Sequence, residues 1–167
     1  MLYLLDANVL ITANLTYYPL DQVPEFWGWI QHQAQNGNLK VPLEIMEEML
    51  VGNDGDPLVE WLKDTAVRKV LALAESVDAA LVQRVVCEGY APDLTDQEVE
   101  QIGRDPFLVA YGLAHPTDRC VVTLEVSKPS KVRQNRKVPD VCRYFSVSYG
   151  GPFEMNRALG FRTSWKA

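Results

Sequence analysis

Two rhythms of apolar and polar residues alternate along the 167-residue chain. Leu2-Tyr3-Leu4-Leu5 is an unbroken apolar run, the pattern of a strand buried on both faces in a parallel sheet. Asp6 interrupts the run where the strand ends, and over 8–14 the spacing becomes helical. Cys120-Val121-Val122-Thr123-Leu124 repeats the strand pattern, with Glu125 standing where Asp6 stands after the first. Both carboxylates therefore fall at the carboxyl edge of one predicted sheet, where open α/β sheets leave a crevice for ligands. Asp6 equally suits a cap for the helix that follows it.

Between these strands the pattern is mainly helical. Phe26, Trp27, Ile30 and Ala34 form one stripe of a helix over 24–36 that Gly37 ends, while Trp29 falls off the stripe, exposed to a partner or packed on a neighbouring loop. Leu39-Lys40-Val41 predicts a short strand, and Pro42 suits the first position of a helix over 42–51. On that helix Ile45, Met46, Met49 and Leu50 are the apolar stripe. Glu44 and Glu48 share a face, Glu47 is displaced around it, and Glu48 lies at the border of the stripe, a place at the rim of the core. A solvated acidic face accounts for the three glutamates equally well.

Gly52-Asn53-Asp54-Gly55-Asp56-Pro57 is a turn by composition, and it lacks the glutamate that a calcium loop places twelfth after Asp54. Helices are predicted over 58–63 and, as one or two, over 67–88, with Val70, Leu71, Leu73, Ala74, Val77, Leu81, Val82 and Val85 as core positions. Thr95-Asp96-Gln97-Glu98 is a capping box. Asp105-Pro106 reads as a cap with a first-turn proline, opening a helix with Phe107, Leu108, Tyr111 and Leu113. An edge strand is predicted over 144–148, and a last helix over 151–159 stopped by Gly160. Phe161 and Trp165 are left either packed or awaiting a partner.

Composition narrows the class. A chain of this length, with 47% hydrophobic residues and neither repeats nor a low-complexity linker, suits one domain over 1–167. Cys87, Cys120 and Cys142 have no CxxC spacing and the only histidines are His32 and His115, which disfavours a disulfide framework or a four-ligand zinc site and suits reduced, cytoplasmic thiols. The apolar start is cut by Asp6, and no run nears the roughly 20 residues needed to span a bilayer. The net charge of −6 argues against nucleic acid as a partner. Local arrangement reverses that inference: Lys128, Lys131, Arg133, Arg136 and Lys137 form a basic island without an acid, placed for phosphate contact or simply solvated.

Asp6, Glu48, Asp105 and Glu125 sit at two strand ends, one helix flank and one helix start, positions that converge on one edge of an α/β sandwich. Unshielded, they would raise one another's pKa. Mg²⁺ or Mn²⁺ relieves that conflict with oxygen ligands, water and phosphate oxygens, and such ions serve the hydrolysis of a phosphodiester.

Leu4-Leu5-Asp6-Ala7-Asn8-Val9-Leu10, the segment from Val41 to Leu50 with Glu44, Glu47 and Glu48, Arg104-Asp105-Pro106-Phe107-Leu108-Val109-Ala110 and Val121-Val122-Thr123-Leu124-Glu125 occur in an order and spacing that resemble the PIN domain. Val138-Pro139-Asp140-Val141-Cys142 adds a likeness to the branch of VapC-type toxin ribonucleases. The resemblance implies a three-layer α/β/α sandwich around a mainly parallel sheet and a metal-dependent endoribonuclease, the toxin of a toxin–antitoxin pair. It implies Asp6, Glu48 and Asp105 as metal ligands, Glu125 acting through water where many relatives carry aspartate, and Asn8 and Thr123 orienting ligands or waters. Glu47 rivals Glu48 by a one-residue shift, and Asp140 is a further candidate for metal or substrate. Partners implied are RNA and an antitoxin, for which the aromatic helix around Trp29 is the expected contact; homodimers are common in that family. The alternative is a catalytically silent PIN-like module that binds protein or RNA. A different Mg²⁺-dependent phosphotransfer or phosphatase enzyme is a third reading, and no glycine-rich phosphate loop supports nucleotide binding.

Overall fold

The N-terminal apolar run forms β1 (Leu2–Leu5), and a computed structural model describing residues 1–52 and 55–166 places it inside a four-stranded sheet. With β2 (Leu39–Lys40), β3 (Arg119–Val122) and β4 (Ser148–Gly150) the order is β2-β1-β3-β4, and every pairing is parallel. Leu2 pairs with Arg119 and Leu5 with Val122, so β1 and β3 end in step. Leu4, Leu5, Val121 and Val122 are fully buried, as their unbroken apolar pattern requires. Asn53 and Asp54 of the predicted turn lie outside the described residues.

Ten α-helices flank the sheet among the described residues: α1 (Ala7–Thr12), α2 (Pro24–Gln35), α3 (Leu43–Leu50), α4 (Pro57–Lys63), α5 (Thr65–Leu71), α6 (Ala79–Arg84), α7 (Asp96–Ile102), α8 (Asp105–Ala114), α9 (Val138–Tyr144) and α10 (Pro152–Ala158). The architecture is a three-layer α/β/α sandwich. Among these residues no helix is long and apolar enough to cross a membrane. α8 packs on β1 and β3, and Gly112 lets it come close: a Cβ there would stand 2.7 Å from Val147 Cγ1 and 3.2 Å from Val121 Cγ2.

Several expectations are corrected. Trp29 is 1% exposed, because Phe161 returns against it with ring centroids 4.9 Å apart. It is core and offers no ring to a partner. Trp165 is also held by the chain itself, donating from Nε1 to the Glu25 carbonyl at 2.8 Å. Pro42 caps α3 rather than entering it, and Val41 extends the sheet by a bridge to Ala72. That bridge draws 72–78 out of helix, so Ala74 is exposed instead of core. The predicted strand over 144–148 is displaced to β4, since α9 starts at Val138 with Pro139 in its first turn and runs to Tyr144.

The capping box forms: Glu98 N–H donates to Thr95 Oγ1 at 3.3 Å and Thr95 N–H to Glu98 Oε2 at 2.9 Å. Thr95→Ala is expected to cost about 1 kcal/mol, lowering Tm by roughly 2–4 °C in a chain of this size. An unchanged melting curve would show that α7 does not depend on its cap.

Candidate active site at the carboxyl edge of the sheet

The chain leaves β1 toward β2 on one side and returns to β3 on the other. The ends of β1 and β3 therefore flank a topological switch point, the usual place for a ligand crevice. Asp6 N–H donates to the Val122 carbonyl at 2.9 Å, which sets the aspartate at the mouth of this crevice. The residue is 6% exposed. Thr123 Oγ1 donates to Asp6 Oδ2 at 2.7 Å and Asn8 Nδ2 donates to the same oxygen at 2.5 Å. Asn8 also donates to Thr123 Oγ1 at 3.1 Å and accepts from Leu124 N–H at 3.0 Å. Asp6 backs α1 without a side-chain capping bond, so its hydrogen bonds hold strand end to strand end.

Asp105 opens α8 at its first position, and Arg104 is the capping residue. The cap falls one residue earlier than expected, and Asp105 is half-buried in the first turn. Burial first, and then the charges of Asp6, Glu125 and Glu48, push its carboxyl up to about 8, opposed by Lys137. Burial also raises Asp6, partly offset by the Thr123 hydroxyl and reinforced by Glu125 and Glu48. The charges of Glu125 and Glu48 thus bear on both aspartates, and that of Asp6 bears on Asp105. Glu48 is exposed, contrary to the expected rim position; Glu47 is exposed too, and Glu44 is the glutamate turned inward. Glu44 accepts from Tyr111 Oη at 3.5 Å through Oε1, while its Oε2 is buried without a partner among the described residues.

Glu125 is tied down. Lys137 Nζ donates to Oε1 at 2.6 Å and Val138 N–H to Oε2 at 2.8 Å, so it anchors the start of α9. Among the described residues no three histidine, cysteine, aspartate or glutamate side chains stand together closely enough to hold a metal ion. Tyr90, which no sequence motif singles out, stands within reach of the charges of Asp105, Glu125 and Asp6. It is 7% exposed and its hydroxyl is buried without a hydrogen-bond partner among the described residues. Burial and the charges of Asp105 and Glu125 hold the phenol well above its ordinary pKa.

A family model described as a domain of unknown function, DUF4411, matches residues 3–163. The chain belongs to this family. No curated protein and no solved structure matches it.

In this DUF4411 domain the basic island divides in two. Arg133 donates from Nε and Nη2 to both oxygens of Glu98, at 2.7 and 2.8 Å, and from Nη1 to Asp93 at 2.7 Å. Arg136 donates to the Gly89 carbonyl at 2.6 Å, and Lys137 holds Glu125. These three brace the loop. Lys128 and Lys131 are exposed, and their ammonium groups remain for solvent or phosphate. Asp140 is buried and accepts from Ser127 Oγ at 2.5 Å and Lys128 N–H at 2.7 Å. Its place is to fasten the segment after Glu125 onto α9. Cys87, Cys120 and Cys142 are free thiols.

Proposed function

We propose that the chain is a metal-dependent endoribonuclease of the PIN-like kind. One observation carries the reading: Asp6 is buried at the switch-point crevice with its carboxylate fixed by Thr123 and Asn8, and the charges of Glu125 and Glu48 bear on both it and Asp105. The donor set fits hard Mg²⁺ or Mn²⁺. Such an ion asks for one or two carboxylates and completes its shell with water and phosphate oxygens, a demand compatible with side chains that form no closed cage. The orphaned Tyr90 hydroxyl adds a buried polar atom at the same place. Asp6 and Asp105 would hold the ion, with Glu48 and Glu125 acting through water; the chemistry it would supply there is to activate a water and to stabilise the leaving oxygen.

The protein's own groups do the rest. Thr123 and Asn8 fix Oδ2 of Asp6, and with it the direction the carboxylate faces. Lys137 places one positive charge beside Glu125 and lowers the pKa of Asp105. Lys128 and Lys131 supply the free cations nearest in sequence for the RNA backbone. The toxin role, an antitoxin partner, homodimer formation and a cytoplasmic location belong to this proposal through the resemblance to VapC-type ribonucleases.

One observation favours a silent binding module instead: both oxygens of Glu125 already have protein partners. Incubation with single-stranded RNA separates the two. The enzyme is expected to shorten RNA with Mn²⁺ or Mg²⁺ and to stop when EDTA is added. RNA that is shifted in a gel but never shortened, whichever cation is supplied, overturns the enzyme and selects the module.

A further inference from the structure

We propose that a groove next to the acidic crevice takes an unpaired base of the same RNA strand, an inference that rests on the ribonuclease reading. The groove holds about 530 Å³ and shares Thr123 and Glu125 with the crevice, so a strand with its phosphate at Asp6 continues into it. Val126, Tyr149 and Phe153 line it, and the two rings are 36% and 39% exposed. Tyr17 meets Phe153 edge to face, with centroids 5.0 Å apart at 84°, and steadies its ring.

Charge chooses the occupant. Arg143 Nη2 donates to Tyr149 Oη at 2.8 Å, and its Nη1 lies 3.4 Å from both Ser127 Oγ and Asp140 Oδ1. Its side chain is 56% exposed although ion-paired with Asp140, and the guanidinium stands 6.0 Å from the Tyr149 ring centroid, accessible beside the aromatic floor. The two acids of the groove are engaged, Glu125 by Lys137 and Glu154 by the Gly151 N–H at 2.9 Å. Aromatic faces next to a cation are the means by which proteins hold single strands: bases stack and the backbone follows the positive charge. In a duplex the base faces are covered by their neighbours, so the ligand is single-stranded. An apolar protein segment would use the rings without needing the arginine.

Anisotropy of a fluorescein-labelled single-stranded oligoribonucleotide, measured on the full chain carrying Asp6→Asn so that the probe stays intact, tests the proposal. Adding Phe153→Ala or Tyr149→Ala is expected to weaken binding about tenfold, within the range of one lost base stack. Phe153→Trp is expected to keep the affinity and Phe153→Leu to lose it; the tryptophan variant guards against a mere folding defect. Arg143→Gln is expected to flatten the log–log salt slope by about 0.7, the value of one phosphate contact on a single strand. Unchanged affinity in both alanine variants, or leucine serving as well as phenylalanine, overturns the base site and points to a protein segment. Should the wild-type chain never shorten RNA while the groove variants still weaken binding, the ribonuclease reading falls and the groove stands. Cleavage with indifferent groove variants sinks the groove alone, and a probe that does not bind at all sinks both.

Discussion

Asp6→Asn and Asp105→Asn are each expected to lower Mn²⁺-dependent RNA cleavage by more than about a hundredfold, since even the hydrogen-bonded neighbours of a metal ligand are worth ten- to a hundredfold. Asp105→Asn is also expected to make the cation-free protein more stable. The folded carboxyl titrates near 8 and an unfolded aspartate near 3.9. Between those values the unfolded chain has released a proton that the folded chain keeps. Stability therefore falls as pH rises from about 4 to about 8, by up to about 1.4 kcal/mol per unit, and is flat outside that window. Asp6, raised by the same burial and the same neighbours, adds a slope of the same sign.

Asparagine at 105 removes the larger part of that slope. Melting temperatures measured from pH 4 to 8 should converge with wild type at the acid end and exceed it by several degrees at the alkaline end. Parallel curves would show that Asp105 carries no strained charge, and full cleavage in both variants would falsify the assignment of the site. Because an ion binds ionised carboxylates, Mn²⁺ affinity is expected to rise with pH across the same interval, with protons released on binding.

Tyr90→Phe is expected to stabilise the protein by about 1–3 kcal/mol, the cost of leaving a buried polar group without a partner. The ring is sealed and its hydroxyl finds no acceptor or donor among the described residues, so phenylalanine keeps the packing and deletes the unmet hydrogen bond. Thermal melting reads this directly, at roughly 2–4 °C for each kcal/mol. A lower melting temperature would mean that the hydroxyl has a partner in solution.

The ends of β1 and β3 were legible because an apolar run broken by a carboxylate marks both a buried strand and its exit. Thr95 and Glu98 were legible for a similar reason, a local motif with a local consequence. Trp29 was not: its helical stripe is local, whereas the ring that covers it, Phe161, arrives from the far end of the chain. Asp105 was legible as the start of a helix, but its alternative reading as the cap was not borne out, since aspartate before proline suits a cap whether or not the preceding residue takes that place. The basic island showed its charge in sequence but not its partners, because Glu98 and Asp93 lie 35 and 40 residues from Arg133. Tyr90 carried no signal at all. Gly89-Tyr90-Ala91-Pro92 punctuates the end of a helix, and nothing in it says that the hydroxyl will be enclosed next to Asp105.

The sheet order has a consequence for synthesis. β1 gains its central neighbour late, Asp6 and Thr123 standing 117 positions apart, so the first strand leaves the ribosome long before the one it must pair with. Until β3 emerges, Asp6 has neither Thr123 nor Glu125 beside it, and a chain stopped short of residue 119 owns one bank of the crevice without the other. Whatever this crevice does, a nascent or truncated polypeptide should be unable to do it.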